Sequence, residues 1–162
     1  MGSGIAQVAA QTGHQVTLVE VNEAALQKAQ SSILVNLMQA AKELSMDSQD
    51  EVEKCVSSAL KHLKTTLNVM EAVKKTDLVI EAVVENLYIK HELFSTIDMI
   101  APEHTIFASN TLSLSIQDIA AVTNRKDRFG GLHFFNPVQV TKLLEVICTL
   151  ETSDETYEKM MA

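Results

Sequence analysis

The sequence has 162 residues, 46% of them hydrophobic, with a formal net charge of -8, which predicts a single domain with one real core. Its 13 basic residues are scattered among 21 acidic ones, which excludes a nucleic-acid backbone binder, because such affinity comes from clustered Lys and Arg, and leaves room for one local phosphate site. Cys55 and Cys148 lie far apart and outside any CxxC or Cys/His spacing, which excludes a disulfide framework and a zinc site and fits a reducing compartment.

The opening MGSGIAQVAAQTGHQ sets Ile5, Val8 and Ala9 at helical spacing and stops at Gly13. VTLVE (16–20) reads as a short strand ending in an acid. Asn22 then caps an amphipathic helix from Glu23 to about Leu44, with Leu26, Ile33, Leu37 and Ala41 on one side. After Met46-Asp47 a second helix is predicted over roughly Ser48 to Leu60, the two forming a helical hairpin. HLKTTLN (62–68) is an ambiguous short strand and Met70 to Val73 a short helix. DLVIEAVV (77–84) is the clearest buried strand, its continuous apolar character implying cover on both faces.

A helix from about Leu87 to Ile100 leads to the strand HTIFASN (104–110), then a helix near Ile116 to Val122. The strand FGGLHFF (129–135), the turn NPV, the strand LLEVI (143–147) and a helix capped by Thr152-Ser153 complete the order. Strands separated by helices predict an α/β fold with a doubly wound, mostly parallel sheet and an inserted helical hairpin. No apolar run approaches the roughly eighteen residues needed to cross a bilayer, and no signal-peptide layout opens the chain.

In a dinucleotide-binding sheet the first strand runs into a glycine motif that brings the helix start against a pyrophosphate. Met1-Gly2 reads as the tail of such a motif, and the chain opens in a helix where a strand is normal. Glu20 sits where a carboxylate accepts hydrogen bonds from both ribose hydroxyls of NAD and repels the extra phosphate of NADP. The residues alone equally allow Gly2 and Gly4 to serve helix packing and Glu20 to be a solvated strand end. If the strands around His133 and Glu145 fold back about their midpoint, Gln139, the two residues become a cross-strand pair. The alternative is a core histidine satisfied by a carbonyl and an edge-strand acid facing water.

Four stretches, SGIAQVAAQTGHQVTLVE, DLVIEAVVENLYIKHELF, HTIFASNTLSLSI and RFGGLHFFNPVQVTKLLEVI, together resemble the NAD-binding domain of 3-hydroxyacyl-CoA dehydrogenases across essentially the whole chain. The resemblance implies a Rossmann-type fold, NAD as cofactor, and oxidation of L-3-hydroxyacyl-CoA to the 3-oxo product in fatty-acid β-oxidation. It implies His133 as base and Glu145 as its partner, with Glu20, Glu85, Lys90 and Asn136 on the cofactor and Met1 and Gly2 at the pyrophosphate. Glu85 with Asn86 is otherwise a helix cap, Lys90 a solvated helix lysine and Asn136 a turn residue before proline.

The same resemblance implies an acyl-CoA substrate, a location in the mitochondrial matrix, with cytoplasm and peroxisome left open, and a homodimer formed through a helical second domain, while the acidic charge balance argues against a nucleic-acid partner. On this reading residues 1–162 are an NAD-binding domain cut at both ends, lacking the first strand and the helical domain, and weak or inactive alone. Two departures from the family pattern stand out. SNTLS replaces SNTSS, putting Leu112 where a serine hydroxyl faces the substrate, with Ser113 adjacent. Asn36 and Glu43 stand where a serine and a lysine contact CoA, with Lys42 next door. These keep open a weakly active or non-catalytic NAD-binding relative, and a slice of a multifunctional β-oxidation protein.

Overall fold

The computed structural model describes residues 1–43 and 48–162. The expected end of the first long helix at Leu44 and the break at Met46-Asp47 lie outside the described residues. The chain divides into two units, residues 1–68 with 136–141, and residues 69–135 with 142–162.

In the first unit, helix α1 (Gly2–Gln11) is followed by Gly13, whose φ of +92° suits a residue without a Cβ. Ile5, Ala6, Gln7 and Ala10 form the buried side of α1, whereas Val8 and Ala9, expected there from spacing, are half-buried. Strand β1 (Val16–Val19) leads into α2 (Glu23–Glu43), where Asn22 Oδ1 accepts the Ala25 N–H at 2.9 Å. Helix α3 (Gln49–Leu60) starts at Ser48, whose hydroxyl accepts the Glu51 N–H. Strand β2 (Leu63–Thr66) then pairs parallel with β1 in the register Val16↔Leu63 to Val19↔Thr66.

The helical pair is thus the crossover that parallel neighbours require. The predicted stripe on α2 is buried, and its Ile33, Leu37 and Ala41, joined by Ala29, meet Val52, Val56 and Ala59 of α3 over Leu18. Each buried Leu, Ile or Val of this cluster stabilises by roughly 1.5–3 kcal/mol.

The second unit holds α4 (Val69–Val73), β3 (Leu78–Glu81), α5 (Leu87–Asp98), β4 (Ile106–Ser109), α6 (Ile116–Ala120), β5 (Phe129–Phe134), β6 (Leu144–Ile147) and α7 (Asp154–Met161). Its sheet runs β3-β4-β5-β6, parallel except for β6. The α/β architecture is therefore the predicted one, its strands falling into a two-stranded and a four-stranded sheet.

The strand expected to be the most buried is not. β3 is four residues long, lies at the edge of its sheet and leaves Leu78 exposed, and Val83 and Val84 lie beyond its end and are exposed too. β4, inside the sheet, is buried at all four positions. Phe107 on one face of β4 stacks with Phe94 and Phe129 at centroid distances of 5.5 and 6.3 Å, and Ile106 and Ala108 on the other pack with Leu132 and Met160. Buried Arg125 lies 4.4 Å above the Phe107 ring, pairs with Asp98 at 2.6 Å and donates to the carbonyls of Asp98 and Ala101 at the end of α5.

Candidate active site

Strands β5 and β6 pair antiparallel, and their register places His133 directly opposite Glu145. His133 Nδ1 lies 2.9 Å from Glu145 Oε2, with the histidine side chain 13% exposed and the glutamate 54% exposed. The Phe135 ring packs at 4.5 Å against the imidazole. A carboxylate accepting from Nδ1–H fixes the tautomer in which Nε2 carries the lone pair, and that nitrogen has no hydrogen-bond partner among the described residues. An imidazole so held is suited to take a proton from a hydroxyl brought to Nε2.

A second polar group gathers at the C-terminal ends of β3 and β4. Glu85 Oε1 accepts from Thr111 Oγ1 at 2.5 Å, from the Leu112 and Ser113 N–H groups at 3.1 Å each, and from Ser113 Oγ at 3.2 Å. Partial burial raises the pKa of this carboxyl, but the Thr111 hydroxyl, the Ser113 amide, the Lys90 ammonium and the Leu112 amide outweigh it and hold the value down at about 2. Glu85 is therefore an anion at neutral pH that ties down the loop after β4. Asn86 also caps α5, through the Ile89 N–H at 3.2 Å, so the cap and the loop anchor are adjacent residues.

Lys90 is not a solvated helix lysine. Its side chain has 0% exposure, and Nζ lies 2.8 and 2.9 Å from the two oxygens of Glu81 and 3.5 Å from Glu85 Oε2. Enclosed in this way, it reaches a ligand only through Glu85. Sequence reasoning missed Glu81, Ser109, Asn110 and Thr111. The available signal was an acid in the middle of an apolar run, since a carboxylate is buried only with a partner.

Asn110 also ties this loop to the histidine strand. Its N–H donates to the Glu81 carbonyl at 2.8 Å, and its Oδ1 accepts the Phe134 N–H at 2.8 Å, beside His133. Leu112 is 79% exposed. Both the amide and the hydroxyl of Ser113 point to Glu85, so the neighbouring hydroxyl is already engaged.

The other expected residues belong to the first unit. Met1 precedes α1 without a side-chain cap, Gly2 begins it, and no acid occupies its first turn. Gly4 packs closely on Val138: a Cβ there would lie 3.2 Å from Val138 Cβ. Glu20 is half-buried just past β1, with its N–H on the Thr66 carbonyl and its carboxylate without a hydrogen-bond partner among the described residues. Asn136 is exposed and joined to Pro137 by a cis peptide. Asn36 is half-buried on α2, while Lys42 and Glu43 are exposed near its end, Glu43 accepting from Gln39 Nε2 at 3.0 Å.

Parallel strands joined by helices, with an unpaired acid after β1 and an uncapped helix start, define a nucleotide-binding α/β protein of the Rossmann type. The family model for the NAD-binding domain of 3-hydroxyacyl-CoA dehydrogenase matches residues 1–162, and the chain belongs to that family, whose cofactor is NAD. It is 50% identical over 161 residues to the rat mitochondrial hydroxyacyl-coenzyme A dehydrogenase, covering 99% of this chain and 51% of that protein. It is 45% identical to a probable 3-hydroxybutyryl-CoA dehydrogenase of Bacillus subtilis, covering 100% of this chain and 54% of that protein. Among solved structures, the (S)-3-hydroxybutyryl-CoA dehydrogenase of Ralstonia eutropha superposes with a TM-score of 0.90 at 42% identity, covering 99% of this chain and 54% of that one. The chain thus spans about half the length of the curated relatives it matches.

Proposed function

We propose that this chain is the nucleotide-binding part of an NAD-dependent enzyme that oxidises the 3-hydroxyl of an L-3-hydroxyacyl-CoA, with His133 as base and Glu145 as its orienting partner. The 2.9 Å contact between His133 Nδ1 and Glu145 Oε2 is the observation that carries this reading. The residues present fit the cofactor. Glu20 offers an unpaired carboxylate to ribose hydroxyls, and the uncapped start of α1 at Met1 and Gly2 offers backbone amides to phosphate. In the second unit, the family resemblance assigns Glu85, backed by Lys90, to the cofactor, and in the first unit it assigns Asn136. When bound, NAD supplies the hydride acceptor.

The work of the chain is then to bind, orient and move one proton. Glu145 holds the imbalance of the ring, with Nδ1–H directed at the carboxylate and Nε2 left open. As the substrate carbinol loses its hydride, Nε2 takes the hydroxyl proton, and the positive ring stays beside Glu145 until the proton leaves for solvent. The names of the mammalian relatives, mitochondrial hydroxyacyl-coenzyme A dehydrogenases, support a mitochondrial location, and a β-oxidation setting rests on the family resemblance. A homodimer formed through a helical second domain rests on the family resemblance.

The test is NADH formation from 3-hydroxybutyryl-CoA by the full-length protein, alongside His133→Ala. Activity that falls at least about a hundredfold in the variant supports the reading; full activity in the variant refutes it. A second reading, an NAD-binding relative with little turnover, is favoured by the exposed Leu112 and the engaged Ser113. It predicts NAD binding with no NADH formed.

A further inference from the structure

Glu81 plays no part in the chemistry above, yet it is the most enclosed acid of the second unit. It is 2% exposed and its carboxylate is fully engaged. Oε1 accepts from Lys90 Nζ at 2.8 Å and from the Val83 N–H at 2.7 Å, and Oε2 from Lys90 Nζ at 2.9 Å and from Ser109 Oγ at 2.6 Å. Val83 lies just beyond β3, Ser109 at the end of β4 and Lys90 on α5, so three segments meet on one side chain.

Two carboxylates compete for the same ammonium. Lys90 makes its bidentate contact with Glu81 and lies 3.5 Å from Glu85. This division leaves Glu85 Oε1 to the four donors of Thr111, Leu112 and Ser113. In a low-dielectric site an ammonium deprived of one carboxylate is drawn strongly to the next. Without the charge on Glu81, Lys90 turns to Glu85 and pulls its carboxylate off the loop.

We propose that Glu81 is a positioning residue for Glu85: by taking Lys90 in a buried bidentate pair, it keeps Glu85 as the anchor of the Thr111–Ser113 loop and presents Glu85 to the cofactor. The cofactor half of this statement rests on the NAD-dependent reading; the loop half does not. Three buried groups and the exposed Glu85 therefore act as one device, Ser109 fixing Glu81, Glu81 fixing Lys90, and Lys90 setting how Glu85 divides its oxygens.

The experiment measures amide hydrogen exchange at Leu112 and Ser113, and the NAD dissociation constant by calorimetry, in the full-length protein. The variants are Glu81→Gln, Lys90→Met, and the two together. With Glu81→Gln, exchange at Leu112 and Ser113 rises about tenfold, the factor expected when a charged hydrogen bond is lost, while Ala108 in β4 stays protected. The NAD dissociation constant rises in parallel. The double variant, which has no lysine to recruit Glu85, returns exchange at Leu112 and Ser113 toward wild type, a non-additivity that a purely structural role does not produce.

Unchanged exchange at Leu112 and Ser113 in Glu81→Gln overturns the proposal, as does equal loss at Ala108. If Glu81→Gln does not fold, Glu81→Asp is read instead: it keeps the charge that holds Lys90, so exchange at Leu112 and Ser113 is expected to stay near wild type, and a rise there overturns the proposal. Failure of the wild-type protein to bind NAD tells against the cofactor reading alone, because the exchange result stands without NAD.

Discussion

Ile147 of β6 leaves no room for a side chain at Gly131 of β5: a Cβ on the glycine would lie 2.9 Å from Ile147 Cβ and 2.9 Å from Ile116 Cδ1. Ile147 Cβ is a branch point fixed to the backbone and cannot swing away. At Gly130 the corresponding clash is with the Met160 thioether, at 2.5 Å to Cε and 2.8 Å to Sδ, the far end of a flexible chain. Gly131→Ala is therefore expected to cost about 2–3 kcal/mol and Gly130→Ala about 1 kcal/mol, read as urea unfolding free energies. Equal costs at the two sites would show that β6 yields as readily as Met160. Because Gly131 is two residues from His133, the first variant also perturbs the strand pairing that sets the contact with Glu145.

Glu145→Gln keeps the size of the side chain and removes the charge facing His133 Nδ1. The amide can still accept from Nδ1–H through its oxygen, or present its NH2 group and select the other tautomer. Turnover by the full-length protein is expected to fall by about tenfold to a hundredfold, with the affinity for NAD unchanged, because Glu145 acts through the imidazole. Steady-state rates with 3-hydroxybutyryl-CoA and calorimetry with NAD make the comparison. A parallel loss of NAD affinity would place Glu145 in cofactor binding instead.

Glu85 makes stability depend on acid in a defined window. Its carboxyl titrates at about 2 in the fold against 4.5 for the ordinary group, so the unfolded chain takes up the proton first as pH falls. The stabilisation is complete above about pH 4.5 and disappears as pH drops toward about 2. With 38% of the side chain exposed, solvent screening limits it to on the order of 1 kcal/mol. Urea midpoints for wild type and Glu85→Gln should differ at pH 5 and 6 and converge as pH approaches about 2; a constant gap would assign the difference to packing.

Arg125 closes the end of α5 and its charge is met by Asp98 at 2.6 Å, both side chains being under a tenth exposed. Removing one member leaves the other as an uncompensated buried charge. Asp98→Asn is expected to destabilise by about 3 kcal/mol, and the further change Arg125→Met to recover part of that loss. Thermal unfolding of the two variants decides whether the pair behaves as a unit.

What was legible in the sequence were features written in local periodicity and in register. The stripe Leu26, Ile33, Leu37 and Ala41 on α2 is periodic, and the pairing of His133 with Glu145 follows from equal distances to Gln139 in an antiparallel return. Burial of β3 was misjudged because an apolar run does not say whether its strand lies at the edge or the centre of a sheet; that depends on neighbours far along the chain. The Glu81, Lys90 and Ser109 cluster was invisible for a related reason. Its members are joined by contacts spanning 9 and 28 residues, so a solvated Lys90 stayed open as an alternative in the sequence.

Leu112 offers the sharpest test of what this site lacks. The family resemblance implies a serine at its position, and the adjacent Ser113 hydroxyl donates to Glu85 at 3.2 Å, so it is not spare for a substrate oxygen. Leu112 itself is 79% exposed, which means that a change of side chain there costs little packing. Leu112→Ser is expected to leave unfolding free energy within about 0.5 kcal/mol of wild type. A donor hydroxyl aimed at a reacting oxygen is worth a large factor in rate, and an unoptimised one should still raise kcat/KM for 3-hydroxybutyryl-CoA by about tenfold in the full-length protein. That gain, without a change in NAD affinity, would identify the missing hydroxyl as a limit on turnover. An unchanged or lower rate would mean that the leucine branch is part of how this chain meets its own substrate.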